Sequence, residues 1–218
     1  MDIPVLIVHY DKLPERKIYL IGALKDLGYN NVIFFEEEEE IDDNFLKKNI
    51  KIRKLNKFEK SCAIKHYKIY KYIVENNIED ALVLEDDAIL NLNFKDYFEI
   101  ILKQLKDNNY DICFIDNSMK WKINNNPFNN YEINENKNIY RFHTGKCACA
   151  YILSYNGARI FYENILPIYL PLDYMHNEIF KDNNMNIYWS YPDIIIHGSQ
   201  NKYYESSIIR NKISFLDL

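Results

Sequence analysis

Residues Leu82-Val83-Leu84-Glu85-Asp86-Asp87-Ala88-Ile89-Leu90 set three consecutive carboxylates between two apolar runs. Such neighbours repel one another unless a cation or strong donors neutralise them. The uninterrupted apolar run before them predicts a short strand covered on both faces. A chain with this pattern is expected to carry its carboxylates from the end of a buried strand to the rim of a sheet. In an extended stretch Glu85 and Asp87 point one way and Asp86 the other. Hard oxygen donors of this kind suit Mn2+ or Mg2+, and either cation can bridge a diphosphate. The plainer reading is a solvated acidic turn after a strand.

The rest of the chain predicts the fold that supplies this strand. Pro4–His9 reads as a buried strand, followed by a helix from Pro14 to Leu27 with Ile18, Ile21, Leu24 and Leu27 at helical spacing and Gly28 as its stop. Val32–Phe35 predicts a second strand, and Phe58–Asn77 the longest helix, with Cys62, Ile69 and Ile73 along one face. A helix is expected over Phe94–Lys106, and a buried strand over Ile112–Ile115 that ends at Asp116. Residues 117–140 are Asn-rich and predict a variable surface excursion. Cys147–Leu153 alternates as a strand does, Asn156–Ile165 reads as a helix capped by Ser154, and another helix begins over Asp173–Phe180. Ile187–Tyr191 and Asp193–Ile196 are expected to be extended. Strands alternating with helices predict an α/β fold with a mostly parallel central sheet flanked by helices. In such sheets ligands bind at the carboxyl ends of the strands, which singles out His9–Arg16, Glu85–Asp87 and Asp116–Asn117.

Composition excludes several classes. The 218 residues suffice for one domain over 1–218, and Lys+Arg 27 against Asp+Glu 32 leaves no basic field to hold nucleic acid. Cys62, Cys113, Cys147 and Cys149 contain no CxxC pair, and the CxC lies in an apolar alternating run, which argues against a zinc site. The N-terminus lacks a basic n-region, and no apolar run approaches the roughly 20 residues of a membrane span. These features predict free thiols in a reducing cytoplasm. Glu36–Glu40 reads as a solvated acidic loop.

Glu59-Lys60-Ser61-Cys62-Ala63-Ile64-Lys65-His66, followed by the Leu82–Asp87 stretch, resembles bacterial glycosyltransferase family 25, which includes the lipooligosaccharide galactosyltransferases. Asp11-Lys12-Leu13-Pro14-Glu15-Arg16 resembles that family's signature after the first strand. Thr144-Gly145 with Ser154-Tyr155-Asn156-Gly157-Ala158, then Leu170-Pro171-Leu172-Asp173, resemble later blocks in the same order. Ile196-His197-Gly198-Ser199, with Ser206-Ser207-Ile208 after it, resembles the closing block. His9-Tyr10 stands where the family usually has Asn-Leu, Lys60-Ser61 where it has Ile-Gly, and His197 where Gln is common.

The resemblance implies a GT-A-like fold and inverting transfer of a sugar, often galactose from UDP-galactose, onto a cell-surface glycan such as lipooligosaccharide. Residues 1–116 are then the nucleotide-sugar half and 117–218 the acceptor half. Asp87 and Glu85 are expected to hold Mn2+ or Mg2+, which would stabilise the diphosphate leaving group. His9, Arg16, Glu59, His66, Glu85, Asp86, Thr144, Gly145, His197 and Ser199 are the expected donor-binding residues. Inversion needs a general base within reach of the acceptor hydroxyl; Asp173 is the first candidate and Asp116 the second. Tyr203-Tyr204 is a better acceptor-site candidate than Trp121, Trp189, Tyr188 or Tyr191, which read as core aromatics. The mildly basic tail Ile208–Leu218 predicts at most a weak peripheral contact with the cytoplasmic face of the inner membrane. A nucleotidyltransferase would want a Gly-rich loop after the first strand, and His9–Arg16 has no glycine. A non-catalytic carbohydrate-binding relative would have little reason to keep three repelling carboxylates.

Overall fold

The computed structural model describes residues 3–36, 55–119 and 137–205. Trp121, most of the Glu36–Glu40 run and the tail from residue 206 lie outside the described residues. The described strands are β1 (Val5–Val8), β2 (Val32–Phe35), β3 (Asp80–Glu85), β4 (Ala88–Leu90), β5 (Ile112–Phe114), β6 (Ile139–Phe142), β7 (Ala150–Ser154), β8 (Ile187–Ser190) and β9 (Ile195–His197). The helices are α1 (Pro14–Asp26), α2 (Lys57–Glu75), α3 (Phe94–Lys106), α4 (Tyr155–Asn164) and α5 (Leu172–Asn183).

Seven strands form one sheet in the order β2-β1-β3-β7-β5-β8-β6, with β4 and β9 as a separate antiparallel ribbon. Strands β1, β2, β3, β5 and β8 run one way; β6 and β7 run the other. The expected α/β architecture, mostly parallel and flanked by helices, is therefore present. Strand alternation divides the interior into two layers. Leu6, Val8, Ala81 and Val83 face a core shared with α2, α4 and α5, whereas Val5, Ile7, Leu82 and Leu84 face one shared with α1 and α3. Among the described residues no helix is long and apolar enough to cross a membrane.

Two expectations are corrected here. The 117–140 excursion is not irregular to its end, because β6 begins at Ile139 and pairs with β8 at the sheet edge. Helix α1 has its expected limits but a different phase: Arg16, Leu20 and Leu24 are buried, while Ile18 is 71% and Ile21 45% exposed. Two ion pairs set that phase, Arg16 with Asp86 at the end of β3 and Lys17 with Glu36 at the end of β2. Helix α2 opens with a capping box, in which the Asn56 side chain accepts from Glu59 N–H and the Glu59 carboxylate accepts from Asn56 N–H. Ser154 caps α4 as its position implied, accepting from Gly157 N–H.

Candidate active site

The three carboxylates go to three places. Glu85 ends β3 on the odd-numbered side, facing α2, and Asp86 turns toward α1. A tight turn at Asp86-Asp87 then interrupts the extended chain before β4, so Asp87 does not follow Glu85 onto the α2 side. The two-residue alternation is right for Glu85 and Asp86 and fails at Asp87.

Asp86 is the centre of a buried cluster. Its carboxylate accepts from Arg16 Nη1 at 2.8 Å, His9 Nδ1 at 3.0 Å and Tyr10 N–H at 2.8 Å. Burial alone would raise its pKa, but these donors outweigh burial and hold the carboxyl below the usual range. Arg16 also donates to the Glu205 carbonyl at 2.7 Å and lies 4.9 Å over the Tyr204 ring. Lys65 on α2 donates to the His9 carbonyl at 2.8 Å. Three expected donor-binding residues thus satisfy one another and tie segment 203–205 to the end of β1.

Asp87 faces β9. The β4–β9 register sets Ala88 opposite His197, so Asp87 meets the chain just beyond it. Its carbonyl accepts from Gly198 N–H at 2.9 Å; its carboxylate accepts from Ser199 N–H at 3.2 Å and from the Ser199 hydroxyl. His197 Nε2 stands 3.2 Å from Asp87 Oδ2. Burial opposes a charge on His197, yet hydrogen bonds to Asp87 and Cys147 and the Asp87 and Glu85 charges bring its pKa up to about 11. A Cβ at residue 198 would fall 2.6 Å from the Asp87 carbonyl and 2.5 Å from the Tyr204 ring, which restricts this position to glycine. His197 Nδ1 lies 3.2 Å from Ser118 Oγ. Asp116 is wholly buried and accepts from Ser118 N–H at 2.7 Å and Ala150 N–H at 3.3 Å. Burial pushes its carboxyl up to about 6.

Glu85 meets α2. Cys62 Sγ and His66 Nε2 each lie 3.4 Å from Glu85 Oε1, and burial together with Glu85 pushes the Cys62 thiol well up. From His66 a buried polar chain runs inward: Nδ1 to Tyr151 Oη at 2.8 Å, Tyr151 to Tyr70 Oη at 3.1 Å, and Tyr70 to His176 Nε2 at 2.7 Å. His176 Nδ1 has no partner among the described residues, and burial keeps this imidazole neutral. On the same helix, one turn earlier, sits Asp173. Burial, followed by the charges of Glu85 and Glu59, raises its pKa, and its Oδ1 accepts from Tyr174 N–H at 3.0 Å. Asp173 is not the N-cap; that position belongs to Pro171. Asn177, a turn further on, accepts from Thr144 Oγ1 at 2.6 Å and Gly145 N–H at 2.9 Å and donates to the Gly145 carbonyl at 3.1 Å. A Cβ on Gly145 would come within 2.5 Å of the Phe114 ring.

The structure therefore brings Glu85 to His66 and Cys62 on α2, and Asp87 to His197 and Ser199, while Asp173 stands in the first turn of α5. His9, Arg16 and Asp86 brace the wall between β1 and α1. Asn177, Tyr70, Tyr151 and His176 escaped sequence reasoning. Glu59, expected at the donor, instead closes a capping box with Asn56, and a tyrosine pair meeting two histidines across α2, β7 and α5 carries no local signal. Trp189 is core, stacked on Phe114 at 4.7 Å, while Tyr203 is 67% exposed. For a divalent cation, Asp87, Cys149 and His197 bring an oxygen, a sulfur and a nitrogen within 4.8 Å of one another, with the oxygen and nitrogen 3.2 Å apart. Asp87 and His197 would hold such an ion once the imidazolium proton is displaced, and the Cys149 thiol, kept protonated by burial, would stay out of its coordination.

The family description glycosyltransferase family 25 (LPS biosynthesis protein) matches residues 22–176. The chain belongs to that family and is a glycosyltransferase, an enzyme with a sugar donor and a glycan acceptor. Comparison with curated proteins returned no match. A crystal structure of a glycosyltransferase involved in the glycosylation of the major capsid of PBCV-1 is similar at TM-score 0.52, with 12% identity over 99% of each chain. That likeness is one of fold, and it fits the GT-A-like architecture.

Proposed function

We propose that the protein transfers galactose from UDP-galactose, with inversion, onto a lipooligosaccharide-type acceptor in the cytoplasm, and that a divalent cation is required. The observation that carries this reading is the placing of Glu85 and the Asp87–His197 pair at the carboxyl end of β3, beside that of the parallel β1. Asp87, with His197 and the charge of Glu85, would hold Mn2+ or Mg2+, which as a Lewis acid stabilises the diphosphate. Segment 144–145, fixed by Asn177, and the hydroxyl of Ser199 offer polar contacts to the donor. Glu85 and His66 orient the sugar. His9, Arg16 and Asp86 keep this wall in place, and Glu59 holds the start of α2.

Asp173 is the proposed base. It takes the proton of the acceptor hydroxyl as that oxygen bonds the anomeric carbon, and the bond to the diphosphate breaks with its electron pair leaving on UDP. Its raised pKa makes it a stronger base than an ordinary carboxylate. Asp116, wholly buried on backbone amides, serves the frame in this reading. In this reading the β4–β9 pairing, which sets His197 beside Asp87, supports a nucleotide site shared by the halves 1–116 and 117–218. The test is UDP release from several nucleotide sugars in the presence of Mn2+ and a truncated lipooligosaccharide, with the product's anomeric configuration read by NMR. UDP-galactose as best donor and an inverted product support the reading; a retained anomeric centre overturns the base mechanism.

A further inference from the structure

Beside the Asp87–His197 pair, a second set of ligand atoms converges on the end of β3. Cys62 and His66 stand one turn apart on α2, the i, i+4 spacing that puts two side chains on one face. Glu85 completes the set: Sγ and Nε2 each lie 3.4 Å from its Oε1, and the three ligand atoms all lie within 4.8 Å of one another. Around a tetrahedral zinc ion with Zn–S of about 2.3 Å and Zn–N and Zn–O of about 2.1 Å, neighbouring ligand atoms are about 3.4–3.6 Å apart. The donors are one sulfur, one imidazole nitrogen and one carboxylate oxygen. That mixture favours a borderline-soft cation over Mn2+ or Mg2+, which prefer oxygen. The other nitrogen of His66 already has Tyr151 Oη at 2.8 Å, the outer hydrogen bond by which metal-bound histidines are oriented. Cys62 and Glu85 are only partly buried, which leaves the cation a route in and a fourth position for water.

We propose that Cys62, His66 and Glu85 form a zinc-type site, separate from the Asp87–His197 pair, whose occupancy inhibits transfer by withdrawing Glu85 from the donor. On binding, the Cys62 thiol gives its proton to solvent, His66 offers the Nε2 lone pair, and Glu85 offers one oxygen. The bound ion is then neutralised by its two anionic ligands. The inhibitory half rests on the transferase reading above; the binding half does not.

Co2+ titration of the purified protein tests the site without turnover. The expected result is a near-ultraviolet thiolate-to-cobalt band with tetrahedral visible bands, both abolished by Zn2+. They should persist in Asp87→Asn and disappear in Cys62→Ser. No thiolate band in folded protein, or an undiminished band in Cys62→Ser, overturns the site. Under turnover with Mn2+, the Cys62→Ser variant should keep basal activity and need at least about tenfold more Zn2+ for half-inhibition. Equal zinc sensitivity of the two proteins overturns the inhibitory role.

Discussion

Asp86 and Asp87 are adjacent and chemically identical, yet their surroundings give them opposite duties. Asp86 neutralises a buried guanidinium, and removing one partner of such a pair strands the other in low dielectric. Asp86→Asn should therefore destabilise the protein by about 3 kcal/mol in urea unfolding; a loss below about 1 kcal/mol would remove its structural role. Asp87→Asn keeps an oxygen acceptor toward Ser199 and should unfold within a few degrees of the parent while turnover is abolished. Full turnover in that variant would eliminate Asp87 as a cation ligand. Asp173→Asn should retain binding of UDP and Mn2+ in calorimetry and lose at least about a hundredfold in kcat, the scale of a lost general base. The carboxylates themselves were legible in the sequence, because three in a row between apolar runs need an explanation. Their partners were not: Arg16 meets Asp86 only through the phase of α1, and His197 meets Asp87 only through the β4–β9 register.

At the scale of elements, the places of most strands and the helix limits follow from local pattern, as Pro14, Ser154 and the apolar runs of β1 and β3 show, whereas the order of strands in the sheet does not. Helix phase does not, since α1 buries Arg16 and exposes Ile18 against its apolar spacing. Strand β6 was missed because an edge strand after an Asn-rich stretch has only four residues with which to announce itself. Helix α2 buries Lys65 and His66; Lys65 donates to the His9 carbonyl, and His66 is partnered by the polar chain through Tyr151, Tyr70 and His176. Tyr70→Phe removes two of its links with almost no change in volume, leaving buried groups unpaired. It should cost about 1–3 kcal/mol of stability; an effect within about 0.5 kcal/mol would mean that the chain contributes nothing to holding α5 against α2.

For the molecule as a whole, pH acts through buried carboxylates near the β5–β9 junction. Burial, with the charge of Asp116, raises Asp193 from the ordinary 3.8 to about 7, and Asp193 Oδ1 has no partner among the described residues. The folded state then binds the proton more tightly than the unfolded chain, so stability falls as pH rises from about 4 to about 7. Asp193→Asn should raise the Tm by a few degrees at pH 8 and leave it nearly unchanged at pH 4; an equal shift at both would disprove the linkage. The central claim, a cation-dependent nucleotide-sugar site at the carboxyl ends of β1 and β3, is tested most directly by thermal unfolding with Mn2+, with UDP and with both. Ligand at about 100 times its dissociation constant stabilises by roughly 2.7 kcal/mol, or about 5–10 °C for a chain this size. The account expects that rise only when Mn2+ and UDP are present together, and a larger one for UDP-galactose than for other UDP-sugars. No shift with any nucleotide would contradict it.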